Sequence, residues 1–213
     1  MSERLIATPQ GDARVLEHRA RGLIASLVLT HGAGGGIDAP DLVRIAADLP
    51  RQGIAVTLVE MPWRVQGKRL APRPTLIDEA YRAVLAGLRP KAPLVLGGRS
   101  AGARSACRIG AEMGAEGVLA LSFPLHPPGR PEKSRLEELA GAGLPCLVVQ
   151  GERDPFGRPE EFPEDTELAV VPAADHGMKV PNAAPLSAEE ALGVVAESAL
   201  EWIVREVAGN RPA

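Results

Sequence analysis

Gly98-Arg99-Ser100-Ala101-Gly102 follows the apolar run Ala92-Pro93-Leu94-Val95-Leu96 and opens a helix-like segment from Ala101 to Met113. Read together, these stretches are Gly-x-Ser-x-Gly at a strand-to-helix junction, the setting of a nucleophile elbow. The turn is so tight that its serine is forced into a strained backbone, and only very small neighbours escape collision with it. Glycine two places before and two places after the serine is what that geometry demands.

Working outward, short β-branched runs alternate with longer amphipathic ones. Arg4 to Thr8 and Ala13 to Glu17 flank the turn Pro9-Gln10-Gly11-Asp12 and read as an opening hairpin. Ile24 to Thr30 is almost wholly apolar, as a strand covered on both faces should be. Asp41 to Arg51 carries apolar residues at 42, 45, 46 and 49, which is helical spacing. Ile54 to Val59 is the next strand and Thr75 to Leu88 the next helix. Beyond the elbow, Val118 to Ser122, Cys146 to Gln150 and Leu168 to Val171 supply three more strands. A helix is predicted over Glu132 to Ala140, and Pro62 to Pro74 reads as a loop rich in proline and arginine. Ser187-Ala188-Glu189-Glu190 opens a final helix to about Ala208. Alternating βα units predict an α/β fold: a mostly parallel sheet of about eight strands with helices on both faces, and no large cap. One domain over residues 1–213 is expected, since no segment is left over for a second.

Composition narrows the function classes. The chain has 213 residues, of which 45% are apolar and 24% charged, with a formal charge of −3. No long run of one sign occurs, so neither a nucleic-acid groove nor an anionic-membrane surface has electrostatic support. The polar start Met1-Ser2-Glu3-Arg4 lacks the apolar core of a signal peptide, and no apolar run approaches the ~20 residues of a bilayer span. A cytoplasmic location is expected. Cys107 and Cys146 read as small buried hydrophobes, and no zinc-ligand spacing is present.

A serine hydroxyl attacks only when a base takes its proton, so Ser100 needs a histidine, and the histidine an orienting acid. Asp154 closes Gly151-Glu152-Arg153-Asp154-Pro155 after one late strand, and His176 lies in Ala174-Asp175-His176-Gly177-Met178 after the next. The chain order Ser, Asp, His is that of an α/β-hydrolase. An aspartate before proline is also a common turn opener, and a histidine before glycine also suits a surface loop. Asp175 and Glu152 stand as weaker candidates for the acid. For the oxyanion hole, one donor is expected at the N–H of Ala101. The other is expected from His31-Gly32-Ala33-Gly34-Gly35-Gly36, at Ala33 or Gly34. His31 itself reads as a brace for this loop. Trp63, Arg64, Arg99 and His126 are the candidate pocket residues, and two arginines facing the pocket would favour an acyl group bearing a carboxylate.

These motifs resemble the small dienelactone-hydrolase-like α/β-hydrolases. The likeness is greatest to the cap-less group related to the hydrolase-like subunit of the histone-acetyltransferase (NSL) complex. It is carried by Gly97-Gly98-Arg99-Ser100-Ala101-Gly102-Ala103-Arg104, His31-Gly32-Ala33-Gly34-Gly35 and Phe123-Pro124-Leu125-His126-Pro127-Pro128-Gly129. Gly151-Glu152-Arg153-Asp154-Pro155-Phe156-Gly157 and His176-Gly177-Met178-Lys179 complete it. The resemblance implies the α/β-hydrolase fold and the triad Ser100, Asp154, His176. The nucleophile is serine where dienelactone hydrolases proper use cysteine, so their lactone specificity is not carried over, nor are chromatin partners. The expectation is a serine hydrolase acting on a small-molecule ester or acyl substrate with short acyl chains. It would need no metal or organic cofactor and would work as a monomer or homodimer. The alternatives are a binding or scaffold protein that keeps the fold without the chemistry, and acyl transfer to an acceptor other than water.

Overall fold

The computed structural model describes residues 1–90 and 93–209. Ala92, expected at the start of the elbow strand, lies outside the described residues. The chain runs β1 (Ser2–Thr8), β2 (Gly11–His18), β3 (Ala25–Thr30), α1 (Pro40–Asp48), β4 (Ile54–Glu60), α2 (Pro62–Val65), α3 (Pro74–Leu88), β5 (Leu94–Arg99) and α4 (Ala101–Ile109). It continues through β6 (Gly117–Leu121), α5 (Leu136–Ala140), β7 (Cys146–Gly151), β8 (Leu168–Val171) and α6 (Ala188–Trp202). All eight strands form one sheet in the order β1-β2-β4-β3-β5-β6-β7-β8. The pairings of β1 with β2 and of β2 with β4 are antiparallel, and every later pairing is parallel.

Both faces of the central strands are buried, which is why they read as unbroken apolar runs. Along β3, Val28 joins a core with Tyr81, Val84, Leu96, Ile109, Phe123 and Trp63. Its neighbours Leu27 and Leu29 join the opposite core with Leu42, Ile45, Ile54 and Trp202. Side chains alternate across a strand, so one hexapeptide feeds two cores. The Trp202 indole N–H donates to Glu167 at 3.0 Å, and its ring lies against Gly117, where a β-carbon would come within 2.7 Å of it. No helix among the described residues is long and apolar enough to cross a membrane.

Several elements are shorter than their apolar spacing predicts. The segment read as a helix over 132–140 is a 3-10 turn at Pro131–Lys133 followed by α5. Arg135 breaks it: its backbone N–H donates to Leu125 O at 2.7 Å and its side chain to Pro124 O at 2.9 Å. A long-range commitment to the loop after β6 therefore overrides local helical propensity. The helix after the elbow ends at Ile109 rather than Met113, in a turn that closes on Gly114 with φ 71°. Inside the proline-rich stretch after β4, Pro62 starts the short helix α2, its ring pre-set for a first helical turn. The Ser187 capping box forms as expected. Its hydroxyl accepts from Glu190 N at 3.2 Å, and Glu190 accepts from Ser187 N at 2.7 Å.

Candidate active site

Ser100 sits between β5 and α4 with φ 54° and ψ −110°, a conformation that costs an L-residue energy and marks a strained turn. The glycines around it have the steric reason the sequence suggests. A β-carbon on Gly98 would meet the carbonyl carbon of Gly102 at 2.7 Å, and one on Gly102 would meet Thr30 Cγ2 at 2.7 Å and His31 O at 2.9 Å. The turn is pinned to the sheet by Ser100 N–H donating to Leu121 O at 2.9 Å. Its side chain thus projects beyond the carboxyl edge of the parallel strands.

The loops after β7 and β8 bring the other two residues to it. Ser100 Oγ–H donates to His176 Nε2 at 3.1 Å, and His176 Nδ1–H donates to Asp154 Oδ2 at 2.7 Å. Asp154 is fully buried. Its Oδ1 accepts from Phe156 N at 2.8 Å, and its Oδ2 also accepts from Gln150 Nε2 at 3.0 Å. The Phe156 ring packs against the imidazole with centroids 4.2 Å apart. The rival acids point elsewhere. Asp175 accepts from Gly177 N and Lys179 N, and Glu152 accepts from Ala173 N. Each is spent on shaping its own loop.

The glycine-rich loop after β3 lies against Ser100, whose Cβ is 3.2 Å from where a β-carbon on Gly32 would stand. Ala33 and Gly34 are exposed, and their N–H groups have no backbone acceptor among the described residues. Ala101 N opens α4, where helix N–H groups lack intrahelical partners and favour negative charge. His31 braces this loop. Met61 N–H donates to its Nε2 at 3.0 Å, so Nδ1 carries the proton and donates to Gly32 O at 2.8 Å. Burial lowers its pKa from the ordinary histidine value, in keeping with a neutral ring.

The four residues expected to line a pocket have distinct surroundings, and Trp63 borders a cavity with Pro62, Gln66 and Leu76. Trp63 is only 4% exposed and meets the His31 ring edge-on at 5.1 Å, so it packs beneath the loop. Arg64 is half-buried in α2. Arg99 does not present a free guanidinium, because it is paired with Asp41 at 3.1 Å and donates to the His176 carbonyl. His126 faces Pro127 O through Nδ1 at 2.9 Å and Glu161 through Nε2 at 2.7 Å. Both partners are acceptors, so both ring nitrogens must carry hydrogen. The pKa of His126 is accordingly raised, by the Pro127 carbonyl first and by Glu161 next, against some desolvation. The picture of two free arginines awaiting an anionic acyl group does not hold for Arg99, whose guanidinium is already engaged.

A model of the "Alpha/beta hydrolase domain" family matches residues 24–204. The chain belongs to the α/β-hydrolase family. Among solved structures, this α/β-hydrolase is similar to an alpha-beta serine hydrolase homologue from Coxiella burnetii. The identity is 17%, the TM-score 0.74, and the match covers 95% of this chain and 97% of the other. A serine hydrolase without lid from Xanthomonas campestris matches with 18% identity, TM-score 0.73 and coverage of 99% and 96%. A dienelactone hydrolase from Anabaena variabilis matches with 18% identity, TM-score 0.71 and coverage of 96% and 98%. At such identities the likeness speaks for the fold, an α/β-hydrolase without a large cap. Reading the family motifs alone left out Gln150 and Asp41 and gave Phe156 no role. Gln150 does leave a trace in the sequence, a lone polar residue closing the apolar run from Cys146.

Proposed function

We propose that this chain is a serine hydrolase that cleaves a carboxylic ester or related acyl bond through an acyl-enzyme on Ser100. The observation that carries the reading is the unbroken hydrogen-bond chain from Ser100 Oγ through His176 to the buried Asp154 carboxyl group. In the proposed cycle, His176 Nε2 takes the hydroxyl proton as Oγ attacks the acyl carbon. The same proton is then given to the departing alkoxide. Asp154 holds the tautomer in which Nε2 is free to accept, and it steadies the imidazolium that forms. Water repeats the sequence on the acyl-enzyme, and Ser100 is regenerated. Negative charge on the former carbonyl oxygen would be met by Ala101 N–H and by the N–H of Ala33 or Gly34. One such donor is worth about 3 kcal/mol.

The substrate we propose is a small ester with a short acyl chain, and the finer kinship is the cap-less, dienelactone-hydrolase-like group related to the NSL-complex subunit. Support comes from the serine elbow, the glycine-rich loop and the lack of a large cap. Labelling with a fluorophosphonate probe tests the reading: wild-type protein should react and Ser100→Ala should not. A well-folded wild type that stays unlabelled would instead make the chain a scaffold that keeps the fold. Product analysis with added alcohols or amines separates hydrolysis from acyl transfer.

A further inference from the structure

Arg99 stands one residue before Ser100, yet its side chain serves other loops. Its Nε lies 3.1 Å from Oδ2 of Asp41, and Nη2 donates to the backbone carbonyl of His176. Nη1 comes 3.7 Å from where a β-carbon on Gly32 would sit. One guanidinium therefore links the elbow strand to the first turn of α1 and to the loop of the candidate base, and passes beside the glycine-rich loop. Two observations set it apart from a surface arginine. Its side chain is 14% exposed and the Asp41 side chain 0% exposed, and Asp41 has no other charged partner among the described residues.

We propose that Arg99, anchored by Asp41, is a positioning residue that fixes where His176 stands relative to Ser100. Resting on the triad reading above, this assigns Arg99 to the rate of proton transfer and not to the affinity for substrate. The anchor is rigid. Leu42, Ile45 and Ala46 bury α1 in the core, which holds the carboxylate in place, and β5 fixes the other end of Arg99. The histidine loop is mostly closed on itself, by Asp175 N to Lys179 O at 2.9 Å and Met178 N to Asp175 O at 3.0 Å. Arg153 N donating to Ala174 O at 2.9 Å ties it to the acid loop. The bond from Arg99 supplies the matching tie to the nucleophile's own strand. The guanidinium can face the Asp41 carboxylate as an ion pair through Nε while Nη2 donates to the His176 carbonyl, a spread that a single ammonium does not have. Misplacing a reacting group by about 1 Å costs on the order of 10²-fold in rate.

Two variants test this. Arg99→Ala leaves Asp41 buried without its partner, so the double variant Arg99→Ala/Asp41→Leu is made beside it, removing the stranded charge. With neutral and anionic p-nitrophenyl esters, the double variant should lose about 10- to 100-fold in kcat with KM changed no more than a few-fold, equally for both esters. Guanidinium chloride at low, non-denaturing concentration should restore part of the rate to Arg99→Ala, where sodium chloride at equal ionic strength does not. Full kcat in the double variant overturns the proposal. So does a loss confined to KM for anionic esters, which would make Arg99 a substrate anchor. Failure of the hydrolase reading shows up separately, as a wild type that no fluorophosphonate labels. Amide hydrogen exchange over residues 175–179 then decides about the brace: faster in the double variant if it exists, unchanged if it does not.

Discussion

Asp154 and Asp175 are both near His176 in sequence or space, but only one turns toward the imidazole. Replacing Asp154 with Asn removes the acceptor that selects the Nδ1–H tautomer, and kcat on p-nitrophenyl acetate should fall by about 10⁴-fold. Asp175→Asn keeps an oxygen for Gly177 N and Lys179 N and should stay within a few-fold of wild type. Steady-state kinetics on the two variants check the pair, and equal losses would count against the assignment. The glycines allow a similar contrast. Gly102→Ala drives a methyl group into Thr30 and the His31 carbonyl and should cost about 1–3 kcal/mol, as overpacking does. Gly34→Ala meets nothing within 4 Å and should lie within about 0.5 kcal/mol of wild type. Urea denaturation measures both.

At the scale of elements, the loops after β6 and β7 behave as one unit. His126 N–H donates to Phe156 O at 2.9 Å, Gln150 Nε2 reaches Phe123 O and Gly157 O, and Phe156 packs on His176. The His126 ring clamps this unit to Glu161. Its folded pKa is raised above the ordinary 6.5, so the clamp stabilises the fold fully below that value. The contribution fades as pH climbs through the raised pKa. The melting-temperature gap between wild type and His126→Gln should therefore be wider near pH ~5.5 than near pH ~8.5. A gap that widened with pH would mean that the ring is held neutral.

Across the whole molecule, what could be read from the chain was what local chemistry dictates. The last six strands could be read because each is largely an apolar run, the first two because they flank the turn Pro9-Gln10-Gly11-Asp12, and the elbow because its sterics favour glycine at positions 98 and 102. The meeting of Ser100, Asp154 and His176 was legible from chain order, since parallel strands deliver their loops to one edge. What escaped depends on distant backbone. The 132–140 helix was cut short by the Arg135 bond to Leu125. The anion-seeking role imagined for Arg99 ignored a carboxylate at position 41, nearly sixty residues upstream. Gln150 donates to Asp154 only because the Asp-Pro turn folds back over the end of β7, which no periodicity announces.

The placement of the two tryptophans has a practical consequence. Trp63 belongs to the core on one face of the sheet and Trp202 to the core on the other, and both are buried. The sequence contains no third. Each half of the interior thus carries its own optical reporter, separable by Trp→Phe exchange at the opposite site. Whether the two halves come apart together or in turn becomes a question of whether two emission curves coincide.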